Sequence, residues 1–282
     1  MFADLTDVLC HYELRGSGDP LVLVPGLGST SALWDPVATE LAKSFCLILL
    51  DNRGLGRSIP KRGPRTLEDF AVDLVELMDH LQLDRTHVMG LSLGGMIAYQ
   101  FALDHPSRLD RLVLVSCTNR FTPYLREVAK FVTHAFRYFP QDVFLRTVKL
   151  LATGPEYVDA HPDEIGKQIA IARENEIPRS AVARQLSCLA RHDGDDGWEY
   201  PIVAPTLVIA GEQDNLIPAC YARRMAQQIR GSEFMLVPGC GHNPFVEHPG
   251  LVLPRITEFL MRRCQGIRRS SQHSHPALEA AV

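Results

Sequence analysis

A glycine-rich hexapeptide constrains the fold of this chain more than any other stretch; it reads GLSLGG and occupies residues 90–95. An apolar run at 86–89 precedes it and a helix-forming run at 96–102 follows it, which predicts a strand, a sharp turn and a helix in succession. Glycines two residues before and two residues after Ser92 permit a strained turn that lifts the serine hydroxyl clear of the strand. Taken alone, the pattern is equally compatible with a glycine-rich turn in which the serine caps the helix.

Short apolar runs alternate with amphipathic segments on both sides of the hexapeptide. These runs lie at 21–24, 46–50, 86–90, 111–116, 205–211 and 233–237. Continuously apolar runs are typical of strands buried on both faces of a parallel sheet, and the segments between them have the spacing of amphipathic helices. The sequence therefore predicts an α/β fold in which helices cover both faces of a parallel sheet.

This alternation stops between about residues 118 and 200, where no strand-like run occurs. Aromatic and aliphatic residues recur there at helical spacing, which predicts a helical insertion. We expect residues 1–117 and 201–265 to form the core and residues 118–200 to form the insertion. Residues 266–282 are polar and aperiodic, which is typical of a flexible C-terminal tail.

Composition and charge argue against several classes of protein. The 282 residues are 46% hydrophobic and 22% charged, and the net charge of −4 disfavours a nucleic-acid partner. The first residues lack the basic and apolar regions of a secretory signal, and no apolar stretch is long enough to span a bilayer. We therefore expect a cytoplasmic protein with no membrane partner. Seven scattered cysteines without a C-x-x-C pair indicate neither a disulfide framework nor a metal site.

Two loops in the C-terminal part of the chain carry the groups that a nucleophilic serine needs. Asp214 follows one predicted strand, and His242 follows the next, between a glycine and a predicted helix start. A serine becomes nucleophilic near neutral pH through a base, and the base needs a carboxylate that fixes its tautomer. Glu212 is the alternative carboxylate and His248 the alternative base.

Backbone amides near Ser92 are candidate donors for an oxyanion. The amide of Leu93 falls at a predicted helix N-terminus, where unpaired N–H groups and the helix dipole favour negative charge. The loop PGLGS at 25–29 follows a buried strand, and its glycines permit close approach to a ligand. If this loop lies beside Ser92, the amide of Leu27 is the second donor.

Three motifs together resemble those of the α/β-hydrolase superfamily: GLSLGG, GEQDNLIP at 211–218 and GCGHNPFVEHP at 239–249. The resemblance covers nearly all of residues 9–264. It implies an eight-strand, mostly parallel sheet flanked by helices, with a helical cap inserted after the sixth strand. The run GLSLGGMIAYQFALDHP is most similar to 3-oxoadipate enol-lactonase-like hydrolases and related esterases. Pro25 stands where many members have histidine, but the donor in that loop is a backbone amide, so we expect the oxyanion hole to survive.

The same resemblance implies roles for individual residues. Ser92 would be the nucleophile, His242 the base and Asp214 the orienting acid, with the amides of Leu27 and Leu93 as the oxyanion hole. We therefore expect a serine hydrolase that cleaves a small carboxylic ester or lactone through an acyl-enzyme, without metal or organic cofactor. Perhydrolysis of the cofactor-free haloperoxidase type, acyl transfer and carbon–carbon bond hydrolysis use the same triad, and a receptor with little turnover is a further alternative.

Substrate identity and oligomeric state are not specified by these motifs. Four residues are candidates for a substrate pocket, although each also suits the hydrophobic core: Trp34, Met96, Phe121 and Phe136. The loop at 51–58 has two interpretations. It is either a wall of the active site or a turn in which Asp51 and Arg53 satisfy local backbone groups and each other.

Overall fold

The computed structural model describes residues 1–174, 178–192 and 202–262. Nine strands of the described chain form one sheet: β1 Phe2–Asp4, β2 Val8–Arg15, β3 Asp19–Val24, β4 Phe45–Leu50, β5 Ile59–Pro60, β6 Thr86–Leu91, β7 Leu109–Val115, β8 Thr206–Gly211 and β9 Glu233–Val237. Their order is β1-β2-β4-β3-β6-β7-β8-β9, and β5 pairs with β2 outside this path. The pairs from β4 to β9 are parallel, whereas β2 pairs antiparallel with β1, β4 and β5.

This mostly parallel sheet agrees with the predicted fold class. The main path contains the eight strands that the resemblance implies, and β5 adds a ninth. Because β5 has only two residues, it shows no periodicity by which a sequence pattern reveals a strand.

Helices cover both faces of the sheet. Those of the described chain are α1 Asp35–Leu41, α2 Leu67–His80, α3 Leu93–Asp104, α4 Pro123–Tyr138, α5 Gln141–Ala152, α6 Pro155–Ala160, α7 Glu164–Glu174, α8 Arg179–Arg191, α9 Ala219–Gln228, α10 Pro244–Glu247 and α11 Pro249–Met261. Helices α4 to α8 follow one another between β7 and β8, in the stretch where the sequence predicts the helical insertion.

The central strands are buried on both sides, which explains their continuously apolar sequences. Leu21 and Leu23 of β3 belong to the apolar cluster covered by α1 and α11. Val22 and Val24 of the same strand belong to the cluster covered by α2 and α3. Successive side chains of a strand point to opposite faces, so a strand without a solvent face needs apolar residues at every position.

Within the described residues, no helix is both long enough and apolar enough to cross a bilayer. The same part of the chain contains no group of three or more His, Cys, Asp or Glu side chains suited to a metal ion. Six of the cysteines are described; all six are free thiols, and of these only Cys220 is exposed. The predicted tail at 266–282 lies outside the described residues.

Candidate active site

Ser92 lies on a strained turn between β6 and α3. Its backbone has φ 57° and ψ −119°, a conformation that L residues rarely adopt. Gly94 lets the start of α3 pack against the end of β3, because a Cβ at this position would lie 2.0 Å from the carbonyl oxygen of Val24. The Ser92 N–H donates to the carbonyl of Val115 at 2.9 Å. The turn thus holds the half-buried serine at the carboxyl edge of the sheet.

A second turn lies against this serine. The N–H of Ser29 donates to the carbonyl of Gly26 at 3.2 Å, and Gly28 has φ +61°, which the third position of a type II turn requires. A Cβ on Gly26 would lie 3.4 Å from the Cβ of Ser92, so the two turns are in contact. In the described part of the chain, the N–H of Leu27 has no hydrogen-bond acceptor.

Asp214 and His242 form a buried pair. Asp214 Oδ2 lies 2.6 Å from His242 Nδ1, while Oδ1 accepts the N–H groups of Leu216 and Ile217, each at 2.9 Å. The two residues are 3% and 8% exposed, respectively. Because a carboxylate only accepts hydrogen bonds, the neutral imidazole carries its proton on Nδ1 and keeps Nε2 as the basic nitrogen.

The alternative acid and base have other surroundings. Glu212 Oε2 accepts the N–H of Gly239 at 3.1 Å. His248 immediately precedes α11, and its ring centroid lies 6.5 Å from that of Tyr157. Of these two carboxylates and two histidines, the structure therefore pairs Asp214 with His242.

The three predicted catalytic side chains follow the carboxyl ends of parallel strands. Ser92 follows β6, Asp214 follows β8 and His242 follows β9, with β7 between β6 and β8. Open α/β sheets bind their ligands at this edge.

The Ser92 hydroxyl has no hydrogen-bond donor or acceptor among the described residues. The hydrogen bonds of a catalytic serine often tighten only in the substrate complex. Burial raises the pKa of the nearby Cys240 thiol, which keeps it protonated and unreactive.

Glu247 holds the loop that carries the histidine against the helical insertion. Its Oε2 accepts the N–H groups of Gly241 at 2.7 Å and Gly154 at 2.9 Å, and its Oε1 accepts that of Asn243 at 3.4 Å. The N–H of the histidine itself donates to the carbonyl of Ala152 at 2.6 Å. Burial raises the pKa of the glutamate carboxyl, and the N–H donors partly offset this rise. Sequence reasoning missed this residue.

We expect Glu247→Ala to lower the free energy of unfolding by roughly 3–5 kcal/mol, because each buried N–H left without an acceptor costs about 1–3 kcal/mol. Glu247→Gln retains one acceptor oxygen and should lose less than half as much. Urea unfolding followed by circular dichroism measures both. The control is Glu258→Ala, which removes an exposed partner of Arg262 and should change stability little. Equal unfolding midpoints for Glu247→Ala and the unsubstituted protein would show that Glu247 does not hold the loop against the insertion.

Three of the candidate pocket residues lie in the core. Trp34 is fully buried, with its ring centroid 5.2 Å from that of Phe245, in the cluster covered by α1 and α11. Met96 and Phe121 belong to the cluster on the opposite face of the sheet. All three side chains pack within these apolar clusters, and their place in a substrate pocket stays a prediction.

Phe136 belongs instead to a small apolar cluster, here called the insertion cluster. It consists of Val132, Val182 and Leu186, with Leu27, Val128, Phe136, Phe144 and Leu216 packed against them. Leu27 comes from the turn beside Ser92, and Leu216 comes from the loop that follows Asp214. The insertion cluster therefore links the helical insertion to two loops of the candidate site and gives the site an apolar side.

Buried partners outside the charged loop at 51–58 hold it in place. Arg53 donates to both carboxylate oxygens of Asp73 in α2, at 2.6 and 2.7 Å. Asp51 Oδ2 lies 2.9 Å from His11 Nδ1. Asp51 Oδ2 also accepts the N–H of Arg57 at 3.0 Å, so the predicted contact with local backbone is present for Asp51. Asp51 and Arg53 do not satisfy each other, because each side chain has a buried partner on a different element. Burial lowers the pKa of His11, although the carboxylate beside it acts in the opposite direction.

Comparison with known proteins agrees with this architecture. The family described as "alpha/beta hydrolase fold" matches residues 19–249. The chain belongs to the α/β-hydrolase family. Among its relatives is RutD of Caulobacter vibrioides, whose name assigns it provisionally as a carbamate hydrolase. RutD is 29% identical to this α/β-hydrolase over 255 residues, which cover 89% of this chain and 94% of RutD.

Two solved structures illustrate the similarity in three dimensions. A thermophilic esterase from Thermogutta terrifontis, solved with malate bound, is 29% identical with a TM-score of 0.79; the match covers 90% of this chain and 93% of the esterase. The enol-lactonase from Burkholderia xenovorans LB400 has a TM-score of 0.82 at 24% identity, covering 93% of this chain and all of the lactonase chain, which is a likeness of fold. The family and its named members support hydrolase activity for this α/β-hydrolase.

Proposed function

We propose that this α/β-hydrolase is a serine hydrolase that cleaves a small carboxylic ester or lactone through an acyl-enzyme. The observation that carries the proposal is the 2.6 Å contact between Asp214 Oδ2 and His242 Nδ1, at the sheet edge where the strained Ser92 stands. A histidine oriented by a buried carboxylate is the base that a serine hydroxyl needs near neutral pH. The partner of the protein is then a small-molecule substrate.

The reaction uses only groups of this chain. Ser92 Oγ attacks the carbonyl carbon of the substrate, and His242 Nε2 takes the hydroxyl proton while Asp214 stabilises the imidazolium. The amides of Leu27 and Leu93 bind the negative oxygen of the tetrahedral intermediate. The C–O bond to the leaving alcohol then breaks, and the imidazolium returns the proton to that alcohol. Water repeats the same steps on the acyl-enzyme and releases the acid.

A serine-directed fluorophosphonate probe tests the proposal. We expect it to label Ser92, identified by mass spectrometry of the tryptic peptide, and to stop turnover of p-nitrophenyl acetate in proportion to labelling. The phosphorus adduct forms only on a serine whose proton has a base to accept it. Absence of label at Ser92 in folded protein would refute the proposal and favour the receptor alternative.

Carbamate hydrolysis is a second candidate, favoured by the assigned activity of the RutD relatives. Like an ester, a carbamate has a carbonyl carbon that a serine can attack, although this carbon is bonded to both oxygen and nitrogen. The same serine and oxyanion donors therefore suit it. Comparing kcat/KM for p-nitrophenyl acetate with that for p-nitrophenyl N-methylcarbamate decides between the two candidates. Product analysis with added hydrogen peroxide or an added alcohol separates simple hydrolysis from perhydrolysis and acyl transfer.

A further inference from the structure

Gln185 of α8 is completely buried, and its side-chain amide is only half satisfied. Its Oε1 accepts the N–H of Gly28 at 2.9 Å. Since an N–H only donates, this contact fixes the orientation of the amide and makes Nε2 the remaining donor. Nε2 is buried and has no acceptor in the described part of the chain. An unpaired buried donor is unfavourable, and native structures contain few of them.

This donor lies next to the proposed oxyanion hole. Gly28 directly follows Leu27 in the turn that contacts Ser92. The amide of Gln185 is therefore separated by one residue of backbone from the N–H group that would bind the reacting carbonyl oxygen. The side chain that carries the unpaired N–H₂ group therefore holds the same turn that would bind the substrate's carbonyl oxygen.

Two apolar side chains of α8 lie at this turn with Gln185. Val182 lies one helical turn before Gln185, and its Cγ2 would be 3.3 Å from a Cβ on Gly28. Leu186, the next residue along α8, belongs to the insertion cluster that also contacts Leu27. A charged acyl group would gain only this one neutral donor in exchange for its hydration, whereas a neutral group with one acceptor oxygen gains the same hydrogen bond and loses less hydration.

We propose that Gln185 Nε2 donates a hydrogen bond to a second acceptor oxygen of the substrate's acyl group, an inference that rests on the proposed serine hydrolase function. The substrate class is then neutral esters or lactones with an ether or keto oxygen close to the scissile carbonyl. Gln185 would be a specificity-determining residue, since acyl groups without that oxygen leave the donor unpaired in the complex.

Two esters of nearly equal size isolate this contact. p-Nitrophenyl methoxyacetate has an ether oxygen where p-nitrophenyl butyrate has a methylene group. The measured quantity is the ratio of kcat/KM for the methoxyacetate to that for the butyrate. In Gln185→Met, which keeps the length of the side chain but lacks the amide, we expect this ratio to fall about five- to tenfold, the effect of one buried hydrogen bond. Intrinsic reactivities of the two esters cancel when variants are compared.

A merely structural role predicts a different result. If Gln185 only holds the turn at Gly28, both esters lose activity equally and the ratio stays constant, which would overturn the inference. Gln185→Asn shortens the side chain by one carbon, moves the amide away from the substrate and should also lower the ratio. This second variant tests the inference even if the methionine variant does not fold. The control is Gln168→Met in α7, where Nε2 donates to Glu164 and the ratio should not change.

Failure of the inference is distinguishable from failure of the proposed function. If the unsubstituted protein hydrolyses both esters through Ser92 but the ratio is constant across the Gln185 variants, only the role of Gln185 is refuted. If neither ester is hydrolysed and the fluorophosphonate probe leaves Ser92 unlabelled, the serine hydrolase proposal itself is refuted, and the inference with it.

Discussion

Ser92→Ala should lower kcat for p-nitrophenyl acetate by roughly 10⁴-fold or more, because it removes the atom that forms the acyl-enzyme. The turn that holds this residue depends on backbone groups: the N–H of Ser92 donates to Val115, and Gly94 permits close packing on β3. The hydroxyl has no part in these contacts, so the alanine variant should keep its circular dichroism spectrum and its unfolding midpoint. Steady-state kinetics near pH 8, corrected for spontaneous hydrolysis, measure the loss.

Two further variants show whether the loss belongs to a catalytic unit. Ser107→Ala, an exposed serine beside β7, should leave kcat unchanged and controls for the substitution itself. His242→Ala should lose about as much as Ser92→Ala, and the double variant should lose hardly more than either, because the two groups act in the same step. Additive losses, or a Ser92→Ala variant within tenfold of the original kcat, would be incompatible with a nucleophilic serine.

The central sheet was predictable because strands buried on both faces have continuously apolar sequences. The apolar run at 46–50 corresponds to β4, Phe45–Leu50, and each such strand needs apolar residues at every position. The short edge strands β1 and β5 have three and two residues and are too short for such a run. The helical segment after β3 is divided into a 3₁₀ turn, Ser31–Trp34, and α1, because Pro36 suits only the first turn of a helix.

The pairing of Asp214 with His242 was also within reach of sequence reasoning, although the residues are 28 positions apart. Each follows a parallel strand, and β8 and β9 are neighbours in the sheet. Loops at the carboxyl ends of adjacent parallel strands necessarily share one edge, so the topology itself brings an acid and a histidine into reach.

Contacts between the sheet and the helical insertion could not be predicted from the sequence pattern. Glu247 reaches Gly154 over 93 positions, and Gln185 reaches Gly28 over 157. No strand register relates the insertion to the sheet edge, so helical periodicity predicts which residues of α8 face inward without indicating what they meet.

Asp214→Asn should lower kcat by roughly 10³- to 10⁴-fold while leaving the fold intact. An asparagine can keep Oδ1 as the acceptor for Leu216 and Ile217, which turns its N–H₂ group toward His242 Nδ1. A donor at that position requires Nδ1 to accept, so the imidazole proton moves to Nε2. The nitrogen that should take the proton of Ser92 is then already protonated, and the base is lost without any change in the loop.

The matched control is Glu212→Gln, two residues away in the same loop. Among the described residues, Glu212 accepts one N–H, that of Gly239, and a glutamine carbonyl can accept it equally well. We expect kcat to stay within about threefold, an effect worth less than 1 kcal/mol. A loss in Glu212→Gln equal to that in Asp214→Asn would identify the effect as disruption of the loop or assign the acid role to Glu212. A loss confined to Asp214→Asn leaves the tautomer of His242 as its cause, since both substitutions neutralise one carboxylate and only one of them touches the imidazole.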